Sequence, residues 1–403
     1  MDASIRLGSI FGIPIRLHIT FLLIFPLFVY IFSNPPSQTE ILGIDLSFRG
    51  LDADVYVKYV FGTIAAILFF AAILAHELAH SYLALRYGVR IRHITLMIFG
   101  GVSAMEEMPR EPRQEWRMAF AGPFTSLVIG VVSWCAMILM RDFGPSTTLG
   151  EGITTLLGIV GFYNVLLAAF NLIPAFPMDG GRLLRSFYAS RMPYLQATSR
   201  AARIGRYFAI AMGLYGLFTL NLWLIIIALF VYIGASEEEQ STTVMEALQG
   251  LTVRQLMTDT VQVVHPSMSV AQLHELMLST RHMGFPVVDR GLVGIVTLGD
   301  TQKVPREYAP FATVRDIMTT NVVTVPPSMD AAKALAIMSE KKIGRLVVMD
   351  GPNLVGIVTQ KDFLRAVNVM SLRMRSAQPG YGQAPPPLPP QQPQAPSPPA
   401  ASS

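Results

Sequence analysis

The sequence predicts an α-helical polytopic membrane domain of about six transmembrane helices with a membrane-associated β-hairpin or sheet, followed by a soluble, cytoplasmic α/β module. Three observations lead there. Of 403 residues, 52% are hydrophobic and only 14% are charged, with a mean hydropathy of +0.45; a soluble domain carries about 25% charged residues. The apolar residues gather into runs of membrane-spanning length within residues 1–235. Residues 252–370 instead repeat a pattern of short β-branched strands and helices, and here 61 or 62 residues separate matching positions.

This composition excludes an ordinary soluble enzyme and a disordered regulator. The pI near 9.2 accompanies a net charge of only +4. Basic loops beside membrane helices account for that, so no nucleic-acid partner is expected. The single cysteine, Cys135, rules out a disulfide framework and a Cys-based zinc site.

The first spans are expected at Leu17–Ser33 and at Val55–Leu74, the latter continuing to Tyr87. Two more follow at Trp116–Met140 and Gly152–Ile173. Residues 207–235 form an uncharged run too long for one crossing, and Asn221 favours a turn within it. A hairpin there gives six spans; one overlong helix gives five. With six spans and an inside N-terminus, fourteen arginines fall in cytoplasmic segments, against Arg49, Lys58 and Arg141 outside. That bias places both termini and the soluble module in the cytoplasm of a multi-pass cell-membrane protein.

The most informative residues are His76, Glu77 and His80. Histidines at i and i+4 lie one turn apart on one helix face and can reach one ion, with the intervening Glu placed as a general base. Ile64–Ala75, just upstream, is entirely apolar. Ionisable groups at bilayer depth are costly and point to function. A third ligand is needed. The extended zincin motif requires a His where this chain has Arg86, and no Glu occurs between Glu77 and Glu106. Asp179 is the best candidate. It follows Asn171, Pro174 and Pro177 and precedes Gly180 and Gly181, in a segment whose prolines break helix and whose glycines permit unusual backbone angles. Asp179 as a helix cap is the simpler alternative. Asn171 has amide hydrogens to offer an oxyanion or substrate backbone, or serves only as a helix-end cap.

His76-Glu77-x-x-His80 with Asn171-x-x-Pro174-x-x-Pro177-x-Asp179-Gly180 resembles the site-2 protease family of intramembrane zinc metalloproteases. The resemblance implies that His76, His80 and Asp179 bind one Zn²⁺, that Glu77 is the general base and that Asn171 assists substrate binding or the transition state. It also implies a membrane-embedded strand that pairs with an unwound transmembrane protein substrate. Ile91–Met105, β-rich with Gly100-Gly101 read as its turn, fits that strand; a plain amphipathic connector is the other reading. Membrane lipid and a transmembrane substrate are the expected partners. The sequence is also compatible with two rival functions: a transporter regulated by its soluble module, and a catalytically silent membrane scaffold.

In the soluble region, Thr252–Thr258 matches Thr313–Thr319, and Gly294–Asp300 matches Gly356–Asp362. Each unit reads strand, helix, strand, strand, helix: Val261–Val264, Val270–Thr280, Phe285–Val288, Gly294–Thr297, then from Gly299. The pair resembles a tandem cystathionine-β-synthase (CBS) domain, a Bateman module. The resemblance implies an adenine nucleotide (ATP, ADP or AMP) held by Thr297 and Asp300 in one repeat and Thr359 and Asp362 in the other, with a homodimer through the module. The competing reading makes each Thr–Asp pair a helix capping box. The expected domains are 1–235 (zinc peptidase), 236–251 (linker), 252–311 and 312–370 (repeats), and 371–403 (disordered tail). Residues 378–403 hold ten prolines and no charge.

Overall fold

The computed structural model describes residues 4–36, 40–41, 43–97, 100–105, 110–305 and 307–376. The chain divides between Thr242 and Thr243 into two compact units.

The first unit opens with a hairpin, β1 (Ser4–Ile10) and β2 (Ile13–His18), then α1 (Phe21–Ser33), a small pair β3 (Glu40–Ile41) and β4 (Ile44–Asp45), and α2 (Val55–Arg86). β5 (Ile91–Met97) and β6 (Gly100–Met105) precede α3 (Pro112–Phe143), α4 (Thr148–Asn171), α5 (Asp179–Ala189), α6 (Tyr194–Phe218) and α7 (Leu222–Leu248). Three of the described helices, α2, α3 and α4, are long and apolar enough to cross a membrane. Glycines let them approach closely: Gly130 of α3 faces Gly161 and Val165 of α4, and Gly152 of α4 faces the Phe61 ring of α2.

Several expectations change. The first span is shorter than predicted, because Leu17 and His18 belong to β2 and α1 has only 13 residues. At 1.5 Å per residue that is about 20 Å, short of a hydrocarbon core of about 30 Å. The strand pair β5–β6 is present, but Gly100 and Gly101 are not its turn: they pair with Met97 and Leu96 inside the ladder. Residues 98 and 99, which join the strands, lie outside the described residues. The pair is also half of a larger sheet, ordered β1-β2-β5-β6, in which β2 and β5 run parallel. The two added strands turn at Phe11-Gly12, both at positive φ, as a two-residue hairpin requires. The run 207–235 folds as a hairpin. α6 ends at Phe218, Leu220 adopts positive φ, and Asn221 Oδ1 accepts from Leu224 N at 3.2 Å to start α7.

The expected linker, 236–251, is helical as far as Leu248, continuing α7. In the second unit follow α8 (Val253–Leu256), α9 (Val270–Thr280), β7 (Gly284–Val288), β8 (Leu292–Thr297) and α10 (Leu298–Thr301). The second copy comprises α11 (Val314–Ile317), β9 (Thr324–Val325), α12 (Ala331–Lys341), β10 (Arg345–Asp350), β11 (Asn353–Thr359) and α13 (Gln360–Ser376). The expected strand Val261–Val264 reduces to one bridge, Val264 to Val287. Its counterpart β9 is two residues long. Residues 371–376 of the expected tail are helical, and 377–403 lie outside the described residues.

The repeats exchange their leading helices. Val253 of α8 is buried with Val325, Leu346 and Val358 of the second copy, and Val314 of α11 with Leu273, Phe285 and Val296 of the first. The exchange is reciprocal in detail. Met257 Sδ packs on Gly356 and Met318 Sδ on Gly294, while Thr258 bridges to Ile357 and Thr319 to Ile295. The unit thus has two buried cores, each completed by the other repeat.

Candidate metal centre

Helix α2 carries His76 and His80 on one face, and α5 begins with Asp179. These are the sequence-predicted ligands, and the structure brings them together. His80 Nε2 lies 3.0 Å from Asp179 Oδ2, His76 Nε2 3.3 Å from the same oxygen, and the two Nε2 atoms 3.2 Å apart. All three residues are buried. Two imidazole nitrogens and a carboxylate oxygen, each within 4.8 Å of the others, make a donor set suited to zinc.

The space agrees with the donors. Gly122 of α3 faces both Nε2 atoms, and a Cβ there would overlap His80 Nε2 and His76 Nε2. Any larger residue would fill the volume in which an ion must sit. Asp179 is brought in by a turn, Leu172–Met178, that includes a cis Phe176–Pro177 bond. The two glycines after it work by closeness, not by the unusual angles expected of them, since neither has positive φ. A Cβ on Gly180 would strike the Leu172 and Ile173 carbonyl oxygens, and one on Gly181 the Ala175–Phe176 backbone. The first turn of α5 thus folds flush against the segment before it.

Two further groups, absent from the sequence reading, fix the imidazoles. His80 Nδ1 lies 2.7 Å from the Met118 carbonyl. A carbonyl only accepts, so Nδ1 carries the proton and Nε2 keeps its lone pair for a ligand role. His76 Nδ1 lies 2.9 Å from Ser126 Oγ, itself fully buried. Both partners belong to α3.

A model of the family described as Peptidase family M50 matches residues 64–143 and 136–214, the helices that build this cluster. A zinc metalloprotease of Methanocaldococcus jannaschii is 36% identical over 374 residues, covering 93% of this chain and 98% of that protein. The chain belongs to peptidase family M50. A solved structure titled as the site-2 protease from Methanocaldococcus jannaschii is 39% identical, with a TM-score of 0.40, and covers 59% of this chain and 95% of that one. The CBS domain model matches residues 253–304 and 314–369. This M50 protein is a zinc metalloprotease joined to a CBS pair, with helices apolar enough for a membrane.

Other expected site residues are placed as follows in the M50 chain. Glu77 follows His76 on α2, and Gly101 of the edge strand β6 packs so closely that a Cβ there would run into Glu77 Cγ. Ser81 Oγ and Ser103 Oγ, 3.0 Å apart, tie the same strand to α2. Asn171 ends α4, and its Nδ2 donates to Leu167 O at 3.0 Å within its own helix. In the CBS pair both capping boxes form. Thr297 donates through N and Oγ1 to Asp300 Oδ2, at 3.0 and 2.7 Å, and Thr359 does so to Asp362 Oδ2 at 2.9 and 2.6 Å. Burial opposes the Asp300 carboxylate, but hydrogen bonds from Thr297 and Lys303 outweigh it and hold its pKa below the ordinary range.

Proposed function

We propose that this metalloprotease is an intramembrane endopeptidase that cleaves transmembrane segments of membrane proteins. The observation that carries the reading is the His76–His80–Asp179 cluster on and against an apolar helix, with Glu77 beside the edge strand β6. His76, His80 and Asp179 would hold the ion. Lewis acidity is the chemistry zinc supplies there, acidifying a water and polarising a carbonyl. Glu77 takes the proton from the attacking water and returns it to the leaving amine. A helical substrate must unwind first, and the outer edge of β6, the strand that carries Gly100 and Gly101, offers backbone partners to the extended segment. Asn171 spends one Nδ2 hydrogen on Leu167, and its second N–H is the donor it would offer to substrate backbone or to an oxyanion.

Six crossings, with both termini and the CBS pair in the cytoplasm, complete the proposed arrangement, supported by the arginine bias and the hairpin at Asn221; the short α1 would make its crossing where the bilayer thins around it. We further read the CBS pair as an adenine-nucleotide sensor that sets activity and joins two copies of the chain. Thr297, Asp300, Thr359 and Asp362 are the candidate contacts, each pair rearranging from its capping box to do so.

The test uses purified full-length protein and a transmembrane substrate, wild type against Glu77→Gln, with and without ATP. Glu77→Gln is expected to lose about 10²- to 10⁴-fold in cleavage rate while its zinc content stays at the wild-type level. Undiminished cleavage by that variant would sink the reading.

A further inference from the structure

Outside the cluster, the most heavily buried charges among the described residues of the membrane unit are Arg185 and Glu115. Arg185, in the second half of α5, is 1% exposed, and Glu115, in the first turn of α3, is 0% exposed. Arg185 Nε donates to Glu115 Oε1 at 2.7 Å and a second guanidinium nitrogen meets the same oxygen. Nη1 meets Glu238 of α7. The guanidinium also lies 5.1 Å from the Phe176 ring centre and 5.0 Å from that of Tyr194. Glu115 Oε2 is buried with no hydrogen-bond partner.

As a source of stability this is a poor arrangement. Two carboxylates share one cation, and one carboxylate oxygen is buried unsatisfied. Desolvation of such a group commonly cancels the attraction, and an apolar replacement would often serve as well. Its placement suggests another use. Glu115, Met118, Gly122 and Ser126 follow one another at three, four and four residues, so they share a face of α3. That face seats both histidines: Met118 O takes His80, Ser126 takes His76, and Gly122 lies against both rings. On the other side, Arg185 stacks on Phe176, three residues before Asp179, and belongs to the helix that Asp179 begins.

Resting on the metal-site reading above, we infer that the Glu115–Arg185 pair is a positioning clamp that sets the distance between the histidine pair, seated by α3, and Asp179, carried by α5. Arg185 holds both the turn before Asp179 and the helix after it. Glu115 holds Arg185 to the same face of α3 that orients the rings. Glu238 adds a third arm from α7.

The experiment measures zinc affinity by chelator competition and thermal midpoint on full-length protein in detergent. It compares wild type, Arg185→Lys, the double variant Glu115→Gln/Arg185→Met, and Arg206→Lys, which alters the neighbouring Arg206–Glu239 pair. The double variant removes both fully buried charges, and the Glu238 carboxylate that remains is a third exposed, so no lone fully buried charge is left to unfold the protein. The clamp requires Arg185→Lys and the double variant to bind zinc about 10- to 100-fold more weakly, as for other residues that orient ligands, while the double variant keeps its midpoint and Arg206→Lys keeps its affinity. In cobalt-loaded protein the visible bands of Arg185→Lys shift, which a purely stabilising ion pair would not cause. Wild-type zinc affinity in Arg185→Lys or in the double variant overturns the clamp. A wild-type protein that binds no zinc overturns the metal-site reading itself, and the clamp with it.

Discussion

Gly122 determines how closely α3 approaches the two imidazoles, and Ser126 determines which way one of them faces. Gly122→Ala places a methyl group where the Nε2 atoms converge. Overpacking of about 1–3 kcal/mol corresponds to a roughly 5- to 150-fold loss of zinc affinity, read by chelator competition against an unchanged far-ultraviolet spectrum. Ser126→Ala leaves the space intact but frees the His76 ring; a loss of about 10- to 100-fold in affinity is expected. If both variants titrate like wild type, α3 does not template the site. The convergence of the three candidate ligands was legible from sequence, because the spacing of His76 and His80 is a helical turn and Asp179 stands among helix-breaking residues. Their supports were not. Ser126 lies 50 residues from His76, and the group facing His80 is a backbone carbonyl, which any residue at position 118 would present.

Strand β6 shows how one element serves two neighbours. One edge completes the ladder with β5, and Gly101 also abuts Glu77. Gly101→Val would push the Glu77 side chain from its place, and a displacement of about 1 Å costs on the order of 10²-fold in rate. The expected outcome is a fall in kcat for a transmembrane substrate with zinc content unchanged. A fall in zinc content instead would mean that β6 supports the ligands and not the base. The sequence revealed a β-rich segment here but assigned its glycines to the turn, since Gly-Gly is an ordinary turn signal. In the structure Gly101 provides room for Glu77, a reason visible only once α2 lies beside the strand. The strands β1 and β2 went unread because they are only seven and six residues long, and the last two residues of β2, Leu17 and His18, read as the start of the apolar run that follows. The α6–α7 hairpin, by contrast, was legible: an uncharged run too long for one crossing has Asn221, a turn-favouring residue, at its middle.

At the scale of the whole molecule, the duplication in residues 252–370 was plain from matching segments, and their pairing into one module followed. The exchange of leading helices was not readable, because Thr252–Met257 and Thr313–Met318 are nearly identical and either could cap either core. Residues 243–376 are expected to unfold in a single cooperative transition by calorimetry. Residues 243–312 alone should show none, having lost Val314 from one core and having Val253 and Leu248 stripped of the other. Two separate transitions in the longer fragment would argue against the exchange.

The exchange also bears on how such a module depends on dilution. A lone repeat has its leading helix on offer and its own core open, so it could satisfy both only by trading with a second molecule, and its folding would follow the square of its concentration. Covalent linkage of two repeats replaces that encounter with an effective concentration fixed by the connecting chain. The folding of the module is thereby independent of how many copies a membrane holds.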